Sequence, residues 1–348
     1  MATTGVRLEF EQPIYDTEAR LEKLERIAEK TPEEHEQIRQ LRRELTDLKK
    51  QVYSRLEPWQ TVEVARHAER PILSDYLNMV FEEFVELHGD KHFGDDRALR
   101  TGFAKVDEHK VLVVGHQKGK TLKERTACYF GCAHPEGYRK AMGKMRLAAK
   151  FGMPVICLID TPGAYPGIGA EERGQAQVIA ESMLHMSRLP TPIICVVIGE
   201  GGSGGALGIG IGDRIAVLEH AYYSVISPEG CAGILWKSGA YKKDAAKALR
   251  MTSRDLLSLG VIDDVIEEPV GGAHRDHYQM AARLKMYLLK SLRELLDQPL
   301  DSLLADRYMK FRQMGAFLEN GQMHGRSISD AQAESGADAE ADGDGAAD

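Results

Sequence analysis

Residues 17–56 carry apolar side chains at helical spacing. Two runs form this pattern, Leu21, Leu24 and Ala28 and then Ile38, Leu41, Leu45, Leu48 and Val52. The second run alternates steps of three and four, which is typical of a narrow a/d seam. Between the runs, Thr31-Pro32-Glu33-Glu34 offers an N-cap threonine, a proline at the first helical position and a glutamate at the third. We predict a helical hairpin over residues 1–58 that packs on itself or on a partner chain and carries no chemistry.

From about residue 60 the pattern changes to apolar runs that alternate with helical segments. The strand candidates are 110–115, 154–159, 192–198, 214–218 and 261–266, and the helix candidates are 136–151, 171–188, a short glycine-rich one from Ser203, 253–260, 277–296 and 300–317. Strands that are apolar on both faces and separated by helices favour a mostly parallel sheet covered on both sides. We therefore expect an α/β domain over 59–320. The sequence shows no repeat at the period of a solenoid protein.

Composition places the chain among globular proteins. Its 348 residues are 43% hydrophobic, enough for one large core or two smaller ones. No apolar run approaches the roughly 18–20 residues that span a membrane, and the N-terminus lacks the pattern of a signal peptide, so we expect a cytoplasmic protein. Cys128 and Cys132 have C-x3-C spacing without a second pair, which argues against a zinc knuckle. Cys157 and Cys195 stand in apolar runs and read as buried thiols.

Charge is unevenly distributed. The net charge is −8, but seven acids and no Lys or Arg lie between Asp330 and Asp348, and we predict a disordered acidic tail over 321–348. Residues 101–150 hold eleven Lys or Arg against four acids. Nucleic-acid binding is not expected without a chain-wide positive charge. The local excess favours a phosphate-bearing small ligand or an acidic partner surface, with a solvated helix face as the alternative.

Two glycine motifs resemble nucleotide sites and are disfavoured. Gly199 to Gly204 fits G-x-G-x-x-G, with Glu219 twenty residues further on as a candidate ribose acid. The helix after it is short and glycine-rich, however, and the motif comes late in the chain. The run from Gly115 to Thr121 is one residue too short for a P-loop, whose backbone N–H groups must surround the phosphate. Neither motif predicts a nucleotide site on this chain.

A third motif, Gly201-Gly202-Ser203-Gly204-Gly205, fits the G-x-S-x-G nucleophile elbow of serine hydrolases. Ser203 stands on a strand-to-helix turn, as that motif requires. His220 and His274 could complete a triad, but neither has a recognisable sequence context. A hydrolase that uses Ser203 is therefore an alternative rather than the main interpretation.

The same glycines can form an anion site from backbone alone. They follow a strand rich in Ile and Val and open a helix, so free N–H groups and the positive end of the helix dipole point to one place. Such donors can stabilise an oxyanion. In the alternative interpretation, the glycines only permit tight packing of the helix on the sheet. A second loop, from Asp160 to Gly167, also leaves an apolar strand. Because ligands bind beyond the carboxyl ends of parallel strands, both loops could face one pocket; otherwise the second is a rigid turn capped by Asp160.

At these two loops, IDTPGAYPGIGAEERGQ and GEGGSGGALGIG, the chain resembles the alpha subunits of bacterial acetyl-CoA carboxylase carboxyltransferase, within the crotonase/Clp superfamily. RPILSDY, FVELHGDKHFGDD, GHQKG, PEGYRKAM and SVISPEGCAGILWK agree, and the likeness runs from about residue 5 to residue 318. TLKERTACYFGCAHPEGY departs from it, because many relatives are more basic there. The resemblance implies a spiral of ββα units, with the N-terminal hairpin and C-terminal helices added.

The resemblance also implies a function and partners. The reaction moves a carboxyl group from carboxybiotin, on the biotin carboxyl carrier protein, to acetyl-CoA and yields malonyl-CoA for fatty acid biosynthesis. A beta subunit with a zinc ribbon completes an α2β2 heterotetramer, and this chain holds no metal. ATP binding is expected of the whole carboxylase, and the resemblance does not assign it to this chain. A propionyl-CoA carboxyltransferase is a close variant, since one methylene is worth only about 1–3 kcal/mol in a pocket. A non-catalytic scaffold is a further alternative.

The site residues follow from the same resemblance. It implies that the backbone N–H groups of Gly204 and Gly205 form an oxyanion hole on the biotin side, and that the beta subunit serves the enolate. It further implies a substrate-binding wall made by Gly163, Ala164, Tyr165, Pro166, Gly167, Gly201 and Gly202. Tyr165 is either a pocket contact or a packed aromatic.

Overall fold

The computed structural model describes residues 7–315, 317–319 and 322–324. The strands are β1 Glu82–Glu86, β2 Leu99–Val106, β3 His109–His116, β4 Val155–Thr161, β5 Ile193–Gly202, β6 Arg214–Leu218, β7 Tyr222–Ser224, β8 Asp264–Ile266, β9 Phe317–Glu319 and β10 Gln322–His324. The helices are α1 Gln12–Glu25, α2 Pro32–Tyr53, α3 Pro58–Ala65, α4 Leu73–Met79, α5 Leu122–Ala127, α6 Pro135–Lys150, α7 Ile168–Glu172, α8 Gln175–Ser187, α9 Ser203–Leu207, α10 Pro228–Leu235, α11 Lys242–Leu249, α12 Ser253–Ser258, α13 His277–Leu296 and α14 Leu300–Arg312.

One sheet organises the chain, in the order β1-β2-β3-β4-β5-β6-β8, with β7 also paired to β5. The β1–β2 and β2–β3 pairs are antiparallel, and the pairs from β3 through β8 are parallel. The expectation of a mostly parallel α/β sheet is confirmed. The antiparallel strands β2 and β3 followed by α6 form a ββα unit of the kind that the resemblance implied.

Strands β4 and β5 form the centre of the core. Every residue of both is buried, because neighbouring strands cover their edges and helices cover their faces. Cys157 and Cys195 lie opposite each other in the β4–β5 register and are fully buried, which confirms them as core thiols.

The N-terminal hairpin is present, and its seam packs on itself. Thr31 caps α2 in a capping box, with Glu34 as its partner and Pro32 at the start of the helix, as the sequence predicted. Leu45 of α2 packs with Ile14 of α1, and both belong to a small core that also includes Val64 of α3. α1 begins at Gln12, earlier than the predicted start of the helical region.

The C-terminal helices α13 and α14 close the fold at the expected place. Arg307 of α14 is 1% exposed and binds the Asp213 carboxylate through Nε at 2.7 Å and Nη2 at 2.6 Å. Its other donors reach the carbonyls of Met186, Leu189 and Thr191. This arginine therefore fastens α14 to the start of β6 and the end of α8.

Several boundaries differ from the sequence-based expectations. The helix predicted for 171–188 is broken at Gly174, whose φ of +82° is left-handed, and α7 and α8 lie on either side. α14 ends at Arg312, and Phe317 belongs to β9 instead. The tail predicted for 321–348 lies outside the described residues except for 322–324, which form β10. In the described part of the chain, no helix is both long enough and apolar enough to cross a membrane.

Candidate functional site

The two glycine loops lie side by side at the carboxyl ends of β4 and β5. These strands are parallel neighbours, and their register ends with Thr161 opposite Gly201 after an irregularity at Ile159. The loop from Pro162 to Gly167 therefore begins beside the turn that leads from β5 into α9. The sequence left open whether both loops face one pocket or the second loop is only a rigid turn, and this adjacency favours the first interpretation.

The loops touch backbone to backbone. A Cβ on Gly202 would stand 2.2 Å from the Pro162 carbonyl oxygen, and a Cβ on Gly205 would stand 2.5 Å from the Ala164 nitrogen. Real side chains do not tolerate such distances, so these two positions require glycine. Gly204 differs, because the nearest atom to its Cβ position is Ile179 Cδ1 at 3.6 Å, an ordinary contact. The packing interpretation thus explains Gly202 and Gly205 but leaves Gly204 unexplained.

Helix α9 presents its first N–H groups at this junction. Gly204 and Gly205 are its second and third residues, where an N–H has no intrahelical acceptor. No turn or loop carbonyl in the described residues accepts from them either. Tyr138 donates from its hydroxyl to the Gly205 carbonyl at 3.2 Å, and Ser182 donates to the Gly208 carbonyl at 2.7 Å. The helix is fixed from behind while its N-terminal donors remain available.

Ser203 occupies a left-handed conformation, with φ of +50°, and its side chain is exposed. That geometry suits the elbow motif, but no triad is assembled around it. His220 packs edge-on against Tyr53 at 5.2 Å between ring centroids, and His274 lies 4.2 Å from the His67 ring. Both histidines belong to the contact between the hairpin and the core, and the Ser203 hydroxyl has no hydrogen bond in the described structure.

The residues of the two nucleotide-like motifs make other contacts. Glu219 accepts the backbone N–H of Glu268 at 3.1 Å, and α9 is only five residues long. In the P-loop-like run, Thr121 caps the six-residue helix α5 in a capping box with Glu124. These contacts are structural.

The loop after β4 is stiffened by its own contacts. The Thr161 hydroxyl accepts the Gly163 N–H at 3.1 Å and donates to the Gly163 carbonyl at 2.8 Å. Tyr165 is half-buried and stacks on the His134 ring at 4.0 Å, with Tyr129 edge-on at 5.5 Å. Tyr165 is thus a packed aromatic residue that remains partly exposed. Gln175 at the start of α8 donates to the carbonyls of Ala133 and Tyr165.

A cluster of buried charges lies beneath the two loops, and sequence reasoning did not identify it as part of the site. The Lys118 ammonium, just past β3, is 2.7 Å from Asp160 Oδ1 and 2.5 Å from Glu200 Oε2. Burial opposes ionisation of Glu200, but Lys118 and then Arg66 outweigh it and lower the pKa of Glu200 to about 2. Burial also opposes the charge on Lys118, yet Asp160 and Glu200 hold the pKa of Lys118 above its usual value. Glu200 and Lys118 are therefore both ionised at neutral pH.

Two arginines extend this cluster. Arg66, just past α3, binds Glu200 at 2.7 Å and Glu229 at 2.6 Å. Tyr222 of β7 donates to the same Glu200 oxygen at 2.6 Å. Arg70, 3% exposed, binds the Ile198 carbonyl of β5 at 2.8 Å and the carboxylate of Glu268.

The cluster lines a cavity of about 340 Å³. Arg66, Arg70, Lys118, Asp160 and Glu200 line it together with residues that include Arg125, Phe130 and Pro162. Of the loop after β4, only Pro162 reaches this cavity, so the predicted wall from Gly163 to Gly167 lies beside it rather than in it.

The segment that departs from the family pattern reaches this cluster. Tyr129, Phe130 and Gly131 all have left-handed backbone, with φ of +48°, +56° and +86°. A Cβ on Gly131 would stand 2.9 Å from Lys118 Cγ and 3.0 Å from the Asp160 carbonyl oxygen. Lys118, Asp160 and Glu200 each lie in a motif of the family resemblance, GHQKG, IDTPGAYPG and GEGGSGG, but no motif indicated that their side chains pair. Within the described residues, no group of three or more His, Cys, Asp or Glu side chains is arranged to hold a metal ion.

Comparison with known sequences gives a consistent result. The profile of the family described as acetyl co-enzyme A carboxylase carboxyltransferase-like matches residues 7–315. The acetyl-coenzyme A carboxylase carboxyl transferase subunit alpha of Rhodopirellula baltica is 67% identical over 315 residues, which cover 90% of this chain and 99% of that protein. The protein of the same name from Thermus thermophilus is 50% identical over 313 residues, with 90% and 99% covered.

Comparison with solved structures agrees on the fold. A transcarboxylase 12S structure with methylmalonyl-coenzyme A and methylmalonic acid bound superposes with a TM-score of 0.55 at 21% identity. The match covers 66% of this chain and 42% of that one, so this chain spans less than half of that solved chain. A Pseudomonas malonate decarboxylase hetero-tetramer structure matches with a TM-score of 0.50 at 18% identity, covering 62% and 86%. At these identities the likeness establishes the crotonase-like carboxyltransferase fold and nothing further.

Proposed function

The chain belongs to the family of acetyl-CoA carboxylase carboxyltransferase alpha subunits, and from that premise we propose how its residues take part in the reaction. The chain acts as one subunit of a biotin-dependent transferase that forms malonyl-CoA for fatty acid biosynthesis, and we place it in the cytoplasm. The substrates are acetyl-CoA and carboxybiotin, delivered by the biotin carboxyl carrier protein. Carboxybiotin supplies an activated carboxyl group: its C–N bond breaks to release CO2, the freed biotin anion takes the acetyl proton, and the resulting enolate forms the new C–C bond with CO2.

Gly204 and Gly205 act through their backbone N–H groups. Negative charge develops on the ureido oxygen of biotin when the carboxyl group leaves, and two preorganised donors at a helix N-terminus stabilise such a charge. The single observation that carries this proposal is the contrast between Gly205, which the packing requires, and Gly204, which it does not. An absent side chain at Gly204 keeps the approach to the donors open.

The other predicted residues hold the substrate rather than react with it. The rigid loop of Gly163, Ala164, Tyr165, Pro166 and Gly167 forms one wall of the biotin site, and Gly201 and Gly202 bring it against α9. No His, Ser or acid of this chain acts as a general base in this proposal. The proton lost by the acetyl group goes to the ureido group of biotin, so that atoms and charge balance.

A beta subunit completes the site. We propose that it carries the zinc ribbon, binds the enolate of the thioester and assembles with this chain as an α2β2 heterotetramer. This chain's part is then the half of the active site that stabilises the departing biotin anion. The discriminating observation is activity that requires both chains.

The test measures the reverse half-reaction, malonyl-CoA-dependent carboxylation of free biotin, with the alpha chain, the beta subunit and their complex. We expect activity only from the complex. In the complex, Gly204→Val should abolish activity because its methyl groups would cover the donors, while the size-exclusion profile stays that of the assembled complex.

Gly143→Val in α6 is the matched control, since a Cβ there meets nothing within 4 Å and the position is remote in sequence from both loops. It should retain activity within about twofold. Full activity of assembled Gly204→Val would remove the oxyanion role from this position. An assembled wild-type complex without activity would instead favour the hydrolase or scaffold alternatives.

A further inference from the structure

Lys118 is a largely buried cation that the proposed chemistry does not use. It lies just past β3, and its side chain is 17% exposed, at the wall of the 340 Å³ cavity. Its single ammonium group contacts two carboxylates, Asp160 in β4 at 2.7 Å and Glu200 in β5 at 2.5 Å. One charged group thus joins the carboxyl ends of three consecutive strands of the sheet.

Asp160 carries this connection into the backbone. The same Oδ1 that binds Lys118 accepts the N–H of Glu200 at 2.9 Å. The carboxylate lies so close to Gly199 that a Cβ there would stand 2.5 Å from Oδ1. The position of β5 immediately before Gly201 is therefore set by a side chain of β4, whose own position is set by Lys118.

Only backbone contacts lie between this point and the oxyanion donors. Gly202 touches the Pro162 carbonyl and Gly205 touches Gly163 and Ala164 without an intervening side chain. A change in the separation of the ends of β4 and β5 must therefore move the α9 N–H groups relative to the loop. Electrostatic stabilisation by backbone donors depends on such fixed geometry, since donors that must reorganise lose most of their effect.

We propose that Lys118 is a positioning residue for carboxyl transfer, whose ammonium fixes the ends of β4 and β5 and with them the N–H groups of Gly204 and Gly205. It acts through Asp160 and Glu200 and does not touch the reacting atoms. This inference rests on the proposed function, because it assigns what orients that same oxyanion site.

The neighbouring cations cannot replace Lys118. Arg66 contacts Glu200 but not Asp160, and Arg70 contacts the Ile198 carbonyl and Glu268. Without Lys118, the Asp160 carboxylate would face Glu200 as a like charge in a buried site. Repulsion between the two would then act directly on the spacing of the two strand ends.

The experiment uses the assembled complex and the malonyl-CoA-dependent carboxylation of free biotin. Lys118→Ala should lower kcat on the order of 10²-fold, comparable with loss of an oxyanion donor, while KM for malonyl-CoA changes less than about twofold. Ethylammonium chloride should restore part of the activity of Lys118→Ala, because the ion can enter the adjoining cavity and donate to both carboxylates. Tetramethylammonium chloride at equal concentration, which has no N–H donor, should not.

Two further variants keep the test decisive. Lys120→Met, which removes the more exposed lysine that pairs with Asp75 at 2.7 Å, is the matched control and should keep wild-type kcat. If Lys118→Ala does not assemble, Lys118→Met/Asp160→Asn removes the ammonium together with one carboxylate. That pair should assemble and still show kcat lowered by at least about tenfold with little change in KM, because the bridge is lost.

The outcomes separate the two proposals. Wild-type kcat in an assembled Lys118 variant overturns the positioning role while leaving the proposed function intact. The positioning role is also overturned if ethylammonium restores no activity and KM rises by the same factor as kcat falls. That pattern marks a contact with substrate or a general structural defect. An inactive wild-type complex overturns the proposed function and this inference with it.

Discussion

The carboxylate of Asp160 accepts the backbone N–H of Glu200 at 2.9 Å, across the boundary between β4 and β5. Both residues are buried, and the bond occurs where the regular register of the two strands has already shifted. A side chain therefore replaces the missing ladder contact at the place where two loops leave the sheet. This hydrogen bond joins the charged cluster to the backbone that leads into Gly201 and Gly202.

Two substitutions at Asp160 should separate the hydrogen bond from the charge. Asp160→Asn keeps an oxygen that can accept the Glu200 N–H, whereas Asp160→Ala leaves that buried donor unpaired. Unpaired buried donors cost about 1–3 kcal/mol, so the free energy of unfolding should be lower for the alanine variant by that amount. Urea denaturation measures the difference. Equal stabilities of the two variants would show that the bond adds nothing.

Alanine at Gly205 should destabilise the fold, whereas alanine at Gly204 should change its stability little. Gly205→Ala forces its methyl group to 2.5 Å from the backbone of Gly163 and Ala164, so the loops must separate. We expect a melting temperature several degrees lower, for a cost of about 1–3 kcal/mol. The methyl group of Gly204→Ala meets only Ile179, at 3.6 Å. The free energy of unfolding of this variant should therefore differ from that of wild type by less than about 1 kcal/mol.

Activity should follow a different order from stability at these positions. Gly204→Ala should reduce carboxylation of free biotin at nearly unchanged stability, since the methyl group narrows the approach to the N–H groups. Differential scanning fluorimetry and the half-reaction on the same samples make the comparison. A stable, fully active Gly205→Ala would contradict the close packing of the two loops.

Hydrophobic pattern was sufficient to predict the central architecture. The runs that became β3 to β6 were predicted because they are apolar on both faces, and the helix 277–296 because its apolar positions recur at helical spacing. The capping box at Thr31 and Glu34 was predicted because its chemistry is local. Such features depend on neighbours within a few residues, so a single sequence contains them.

The charged cluster could not be predicted in the same way. Arg66, Lys118, Asp160 and Glu200 are separated by tens of residues along the chain, and nothing in the sequence pairs one with another. Their pairing depends on the strand order, which a hydrophobic pattern does not specify. The break at Gly174 was missed because the helical periodicity continues through it, and the left-handed run at Tyr129 and Phe130 has no residue type that would announce it.

Ser203 should be dispensable for carboxyl transfer. Its hydroxyl is exposed and makes no hydrogen bond in the described residues, and no histidine lies beside it in the described contacts. We expect Ser203→Gly, which also relieves the left-handed φ of +50°, to keep the half-reaction within about threefold of wild type. A fluorophosphonate probe should leave the wild-type serine unlabelled. Labelling at Ser203 would revive the hydrolase alternative.

Acid should weaken the fold through Glu268. Burial raises the pKa of this carboxylate, but Arg70 and then His220 outweigh it and lower the pKa of Glu268 to about 2, from 4.5 for an unperturbed group. The native state thus binds its proton less readily than the unfolded chain. The stabilisation is complete above about pH 4.5 and disappears as the pH falls toward 2, for a total of about 3 kcal/mol.

Glu268→Gln should flatten this pH dependence. At pH 7 the variant should lose about 3–5 kcal/mol of stability, because Arg70 stays buried without its ionised partner. Between about pH 5 and pH 3 its free energy of unfolding should fall less steeply than that of wild type. Urea denaturation across this range provides the two curves, and parallel curves would assign the acid sensitivity to other groups.

The N-terminal hairpin should detach when Arg275 is removed. Glu11 is fully buried where the hairpin meets the core, and Arg275 binds it at 2.8 Å while also binding Glu18 of α1 at 2.8 Å. Burial opposes the charge on Glu11, yet the neighbouring His274 ring, the hydrogen-bonded Tyr15 and Tyr53 hydroxyls and Arg275 keep its pKa below the usual value. Arg275→Met leaves a buried carboxylate without its cation and should cost about 3–5 kcal/mol.

Limited proteolysis should show where that destabilisation acts. Cleavage within residues 26–31, between α1 and α2, should accelerate in Arg275→Met, whereas Arg39→Met, which removes an exposed ion pair with Glu36 inside α2, should cleave at the wild-type rate. Arg275→Met/Glu11→Gln should recover part of the stability, because the uncompensated charge is then gone. If the double variant is no more stable than the single one, the hairpin is held by the apolar contacts of Ile14 and Leu45 with Val64 rather than by this ion pair.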